Sequence, residues 1–103
     1  MFALVVRFDI RDAAAAEKFD ELTARAVEEI TLKEPGTLVY ATHQIDGAPL
    51  ARVFYEVYAD REAFLAHEEA QHVKDFHTAK NPLLTGHRVE FLTPGPLKGL
   101  RPN

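Results

Sequence analysis

The chain contains no cysteine, which removes disulfide frames, thiol nucleophiles and thiolate metal sites from consideration. No apolar run approaches the roughly 20 residues that a membrane span needs. Arg7 and Asp9 interrupt the apolar opening, so residues 1–10 do not read as a secretory leader, and a cytoplasmic protein is expected. The net charge is −4 and the basic residues are scattered, without the cationic stripe that neutralises phosphates. Neither nucleic acid nor a membrane is therefore expected as a partner. There is no internal repeat, and an alanine run at 13–16 is the sole low-complexity feature.

What is present describes one small domain. The 103 residues are 47% apolar and 27% charged, an ordinary globular balance. A chain this short covers both faces of a sheet poorly, which favours burial of the uncovered face against a second copy. A homodimer is the expectation.

Phe2, Leu4, Val6, Phe8 and Ile10 alternate with Ala3, Val5, Arg7 and Asp9, a strand with one strongly apolar face and one mixed face. Asp12 is placed to cap a helix, in which Ala15, Phe19, Leu22, Ala26 and Ile30 recur at helical spacing. Glu34-Pro35-Gly36 ends it, because the residue before proline avoids helical geometry and glycine permits a sharp exit. Residues 37–45 and 51–58 read as a hairpin about Asp46-Gly47. Asp60 caps a second helix predicted to run through Ala79, with a break near Ala70-Gln71, and His87–Leu92 form a last strand. The order β-α-β-β-α-β is the ferredoxin-like arrangement of the α+β class, one antiparallel sheet with both helices on one face. Residues 1–93 form this domain and 94–103 an extended C-terminal tail.

Several phrases then accumulate: Glu34-Pro35-Gly36-Thr37 entering a strand with Tyr40, Phe54-Tyr55-Glu56 followed by Tyr58, Ala59-Asp60-Arg61-Glu62-Ala63-Phe64, then His67 and His72-Val73. Together, over residues 2–92, they resemble the antibiotic biosynthesis monooxygenase domain. That resemblance implies a dimeric α/β barrel and a small-molecule pocket between sheet and helices. The family includes cofactor-independent quinol and anthrone oxygenases, haem-degrading enzymes and an isomerase of phosphorylated autoinducer-2. The resemblance therefore implies a cofactor-independent monooxygenase that oxidises a quinol or polycyclic phenol with dioxygen in an apolar pocket. The alternatives are an isomerase of a small phosphorylated or sugar-like ketone, and a non-catalytic small-molecule-binding module of the same fold.

Histidine suits the base of such an oxygenase, since its ordinary pKa of about 6.5 lets it take and return protons near neutrality. His67 matches the family's helix histidine and Glu56 its strand glutamate. The pair is expected either to be catalytic, Glu56 orienting His67, or to be a buried polar link between helix and sheet. His72 matches the second family histidine, although a histidine beside Val73 and Phe76 is more often a satisfied core residue. Tyr40 is a candidate partner for a substrate oxygen or a packing aromatic, and Phe64 and Phe76 are candidate walls. His43 and His87 lie near strand ends and read as solvated. Arg7 and Asp9 need partners if their face is buried. An isomerase would draw cations from Arg7 and Arg88, or from Arg52 and Lys98 at the edges.

No cofactor and no metal is expected. His67, His72 and His77 are spaced by five, so successive side chains diverge by about 140° on a regular helix, whereas helical metal pairs use three or four. The haem-degrading relatives pair a first-strand asparagine with a second-helix tryptophan. This chain has no tryptophan, and its asparagines are Asn81 and Asn103; His77 near the ligand position stands alone.

Overall fold

The structure, a computed structural model, describes residues 1–99. It contains β1 (Phe2–Ile10), α1 (Ala13–Lys33), β2 (Thr37–Ile45), β3 (Ala48–Tyr58), α2 (Arg61–Glu69), α3 (Gln71–Lys80), a 3₁₀ turn (Asn81–Leu83) and β4 (Leu84–Leu92). The strands form one antiparallel sheet in the order β2-β3-β1-β4, with the helices on one face. This is the ferredoxin-like α+β fold that the element order predicts. Residues 93–99 are exposed and lack regular structure; the rest of the predicted tail, from Leu100 on, lies outside the described residues.

Local chemistry explains most element boundaries. The Asp12 carboxylate accepts from the Ala15 amide at 2.8 Å, and that of Asp60 from the Ala63 amide at 2.8 Å, so both helices start on a side-chain cap. α1 buries Ala15, Ala16, Phe19, Thr23, Ala26 and Ile30, while Leu22 packs half-buried at the core's edge. The second helix breaks as expected. Ala70 takes an extended conformation (φ −66°, ψ 135°), and its carbonyl accepts from the Val73 and Lys74 amides to start α3.

Two strands are longer than the sequence pattern predicts. β3 begins at Ala48, paired with Ile45, although Pro49 lies within it. β4 begins at Leu84, because Ile10 and Asp9 offer partners to Leu84 and Gly86 across a bulge. Thr85-Gly86, which lies before the strand expected from sequence, is drawn into β4 by this long-range pairing.

Register decides which side chains meet beneath the helices. On the covered face, one row across the sheet is Tyr40, Glu56, Leu4 and Phe91; the next is Thr42, Phe54, Val6 and Val89. Phe8, Phe19 and Phe54 pack mutually at centroid distances of 4.8–5.9 Å. Phe19 and Phe54 are almost wholly buried, each worth about 1.5–3 kcal/mol of transfer free energy. The helix-free face carries Val39, Val57, Ala3 and Leu92 in one row, and Ala41, Tyr55, Val5 and Glu90 in the next. Val5, Val39 and Tyr55 remain half-exposed there.

Candidate functional site

A cavity of about 380 Å³ lies between the covered face of the sheet and α2–α3. Leu4, Val6 and Phe8 form its floor, Phe64 and Phe76 its walls, and Val89 and Phe91 the side toward β4. Into this apolar surface project Tyr40, Glu56, His67, Glu68, His77 and Lys80. Size and composition are those of a small-molecule site.

His67 is 2% exposed and sits between the rings of Tyr40 and Tyr58, at 5.6 and 5.2 Å. Its Nδ1 lies 2.6 Å from Oε1 of Glu34, not from Glu56. Glu34 follows the last residue of α1, where Pro35 forbids another helical turn. The reversal is tight: the Ala59 amide bonds the Gly36 carbonyl at 2.9 Å, and a Cβ on Gly36 would stand 2.7 Å from that of Ala63. The turn thus lays Glu34 against α2 and α3. Its Oε1 also accepts from the Thr37 hydroxyl at 2.7 Å, and its Oε2 from His72 Nε2.

Burial alone would push the Glu34 carboxyl up, but the bonds from Thr37, His67 and His72 outweigh it and hold the group below the usual range. An ionised carboxylate only accepts, so His67 must carry its proton on Nδ1. Nε2 is left without a protein partner among the described residues.

Glu56 is 6% exposed and accepts from the Tyr58 hydroxyl at 2.6 Å. Burial pushes its carboxyl up to about 7; the Tyr58 bond opposes this, and the charges of Glu68 and Glu34 add to it. Burial likewise raises the phenol of Tyr40, which lines the cavity. Lys80 reaches in from the last turn of α3. Its ammonium donates to Asn81 Oδ1 at 2.9 Å and lies 5.3 Å and 5.6 Å from the ring centroids of Phe8 and Phe76. Burial lowers this amine to about 8, against the pull of Glu68 and Glu56. Glu68 is held low by His77, whose Nε2 stands 3.5 Å away.

Of the residues expected from sequence, the structure brings His67, Glu56, Tyr40, Phe64 and Phe76 around one cavity. The expected Glu56–His67 link is not formed; each bonds elsewhere, and Tyr58 touches both. His72 binds the far oxygen of Glu34 and lines a separate cleft between α1 and α3. His87 is exposed, as expected, yet borders the cavity from β4. The cations considered for an isomerase do not reach it. Arg7 and Arg88 pair across the helix-free face and bond Asp9 and Glu90. Arg52 is committed to Asp20 through two bonds of 2.9 and 3.0 Å, and Lys98 is exposed in the terminal segment.

Sequence reasoning missed Glu34 and Lys80. The signal for Glu34 lay in the Glu34-Pro35-Gly36 phrase, read there as a helix terminator and a mark of the family, with no role for the carboxylate. That for Lys80 was its spacing of four from Phe76, which puts both on one face of α3. Among the described residues, no cluster of three or more acidic or histidine side chains could hold a metal ion, and no helix is long and apolar enough to cross a membrane.

The family model described as antibiotic biosynthesis monooxygenase matches residues 1–79. The chain belongs to this family. No curated protein sequence matches the chain, but solved structures do. A protein from Caulobacter crescentus CB15 superposes with a TM-score of 0.86 at 22% identity, over 92% of this chain and 90% of that one. Rv0793 from Mycobacterium tuberculosis does so with 0.85 at 23%, over 95% and 98%. SnoaB from Streptomyces nogalater, a cofactor-independent oxygenase studied as its N63A mutant, gives 0.81 at 20%, over 93% and 94%. At these identities the likeness speaks for the fold, and the antibiotic biosynthesis monooxygenase domain must be read for chemistry from its own cavity.

Proposed function

We propose that this antibiotic biosynthesis monooxygenase domain is a cofactor-independent oxygenase of a quinol or polycyclic phenol, with His67 as its base. The observation that carries the reading is the anchored imidazole: an ionised Glu34 accepts the Nδ1–H bond and leaves Nε2 free on a histidine that lines a cavity of about 380 Å³. Nε2 accepts the substrate's proton, and Glu34 stabilises the imidazolium that forms, as a carboxylate does behind the histidine of a hydrolytic triad. The electron-rich anion reduces dioxygen directly, so the substrate takes the place of a flavin or metal. For a quinol with a free ring C–H the balance is quinol plus O₂ giving hydroxyquinone plus water, and at the reactive methylene of a phenol's keto tautomer it is CH₂ plus O₂ giving C=O plus water. Glu56, poised near neutrality, is the second proton carrier and supplies a proton to the reduced oxygen. Tyr40 hydrogen-bonds a substrate oxygen, while Phe64 and Phe76 keep water from the intermediates.

The half-exposed apolar rows on the helix-free sheet face support a homodimer that covers them. An isomerase of a phosphorylated ketone has less support, because Arg7, Arg88 and Arg52 are all paired away from the cavity, which leaves Lys80 as its one buried cation among the described residues, against largely apolar walls.

Dioxygen uptake with menadiol tests the oxygenase. Wild type should exceed the uncatalysed rate, and His67→Ala with its circular dichroism intact should lose 10²–10⁴-fold, the usual contribution of a positioned base. Wild-type uptake no faster than buffer across a panel of phenols refutes it.

A further inference from the structure

Among the described residues, Lys80 is the one buried titratable group lining the cavity that the reaction above does not use. It is 5% exposed, and its nitrogen meets a single protein acceptor, Asn81 Oδ1, with no carboxylate within ion-pair distance among the described residues. An ammonium has three N–H donors, so two are left for something else. The flanking rings of Phe8 and Phe76 favour a cation at this position. A charge kept dry without an ion-pair partner is costly, and binding an anion would relieve it.

We propose that the cavity binds its ligand as an oxyanion held against Lys80, which restricts the substrate class to acidic phenols and enols. The proposal rests on the cavity being the substrate site of the oxygenase reading. The step is a proton transfer: the ligand O–H breaks, its proton passes to Nε2 of His67, and the electron pair stays on oxygen opposite the ammonium.

The surroundings agree with this assignment. The cavity that Lys80 lines is shared with Phe8 of β1, Tyr40 of β2, Glu56 of β3, His67 and Glu68 of α2, Phe76 and His77 of α3, and His87 of β4. Of the two carboxyl groups, Glu68 is shared with His77, and burial brings Glu56 to about 7, partly protonated at neutral pH. The Lys80 amine, lowered to about 8, keeps most of its charge at neutrality and loses it above. Lys80 thus offers the ligand a charge that no side chain neutralises at contact distance.

The probe is 7-hydroxycoumarin, whose phenol and phenolate absorb at different wavelengths. With excess wild-type protein, its apparent pKa should fall by at least one unit, and 2-naphthol should bind at least tenfold more tightly than 2-methoxynaphthalene, which has no proton to lose. The naphthol preference should shrink as the pH rises past 8. Lys80→Met should still bind the probe while losing the shift, and the pH dependence in wild type serves as the second measurement if that variant folds poorly. No binding, binding as the neutral phenol, or a shift that survives in Lys80→Met overturns the proposal; the last would assign the oxyanion to the cavity's histidines. Dioxygen uptake measured in parallel separates the two readings. Phenolate binding without uptake upholds the role of Lys80 and refutes the oxygenase, and uptake with a neutral bound phenol does the reverse.

Discussion

Replacing Glu34 distinguishes a carboxylate that holds two histidines from one that merely ends a helix. The side chain is 8% exposed and accepts from Thr37, His67 and His72. Glu34→Ala removes all three acceptor contacts and leaves the Nδ1–H of a 2%-exposed histidine without a partner. Hydrogen bonds to charged groups are worth about 1.5–3 kcal/mol each, but they share one site and do not sum. The net cost should be about 3 kcal/mol, a large part of the ~5–15 kcal/mol of a small domain.

Glu34→Gln is the informative contrast. Thr37 and His67 both donate to Oε1, so the amide oxygen takes that position and the amide NH₂ faces His72. All contacts survive if His72 moves its proton from Nε2 to Nδ1, and the cost should be only about 1 kcal/mol. The pH dependence has a definite sign. A carboxyl held below its unfolded value adds stability above about pH 4.5 and loses it as pH falls through the folded pKa. That acid-limb contribution should vanish in Glu34→Gln. Urea unfolding at pH 7 and pH 4, with ¹⁵N histidine spectra, reads both effects. If Gln costs as much as Ala, or His72 stays protonated on Nε2 in the Gln variant, the shared-carboxylate geometry is wrong.

Three further outcomes follow from the same geometry. The folded pKa of Glu56, about 7, exceeds the usual 4.5, so the unfolded chain binds fewer protons and stability falls as pH rises through this window. Glu56→Gln should therefore gain on wild type by about 2 kcal/mol between pH 5 and pH 8 in urea unfolding; a pH-independent difference refutes the raised value. Gly36→Ala forces a Cβ to 2.7 Å from that of Ala63 and should cost about 1–3 kcal/mol, against under about 0.5 for Gly86→Ala, which meets open space. Equal thermal midpoints for the two would show that the turn gives way freely. Wild type should sediment as a dimer and Val5→Lys, beside Tyr55 and Glu90 on the helix-free face, as a monomer; a monomeric wild type rejects that interface.

What the sequence made legible was whatever depends on period and local chemistry. Alternation in β1 and β3 put Leu4, Val6, Phe54 and Glu56 on one face, and Asp12, Asp60 and Pro35 marked helix ends through side-chain caps and steric exclusion. The strand extensions at Ala48 and Leu84 were not legible, since they depend on partners far along the chain. The site was legible only in part, for the same reason. A last-turn lysine normally complements the helix dipole in water, and only the folded positions of Phe8 and Phe76, whose rings flank its ammonium, show that Lys80 points inward.

Glu34 shows the limit most clearly. His67 and His72 are five residues apart, a separation that turns their side chains about 140° from each other on an unbroken helix. One residue, Ala70 with ψ 135°, resets that angle, and two histidines that should diverge converge on the two oxygens of one carboxylate. That carboxylate lies 33 and 38 residues away along the chain. The break at Ala70-Gln71 was visible as a possibility in the sequence. Its consequence was not, because the direction in which α3 leaves depends on α1 lying beside it. The anchored base of the proposed reaction is thus a tertiary object, assembled by an interruption that intrinsic helix propensity alone would disfavour at an alanine.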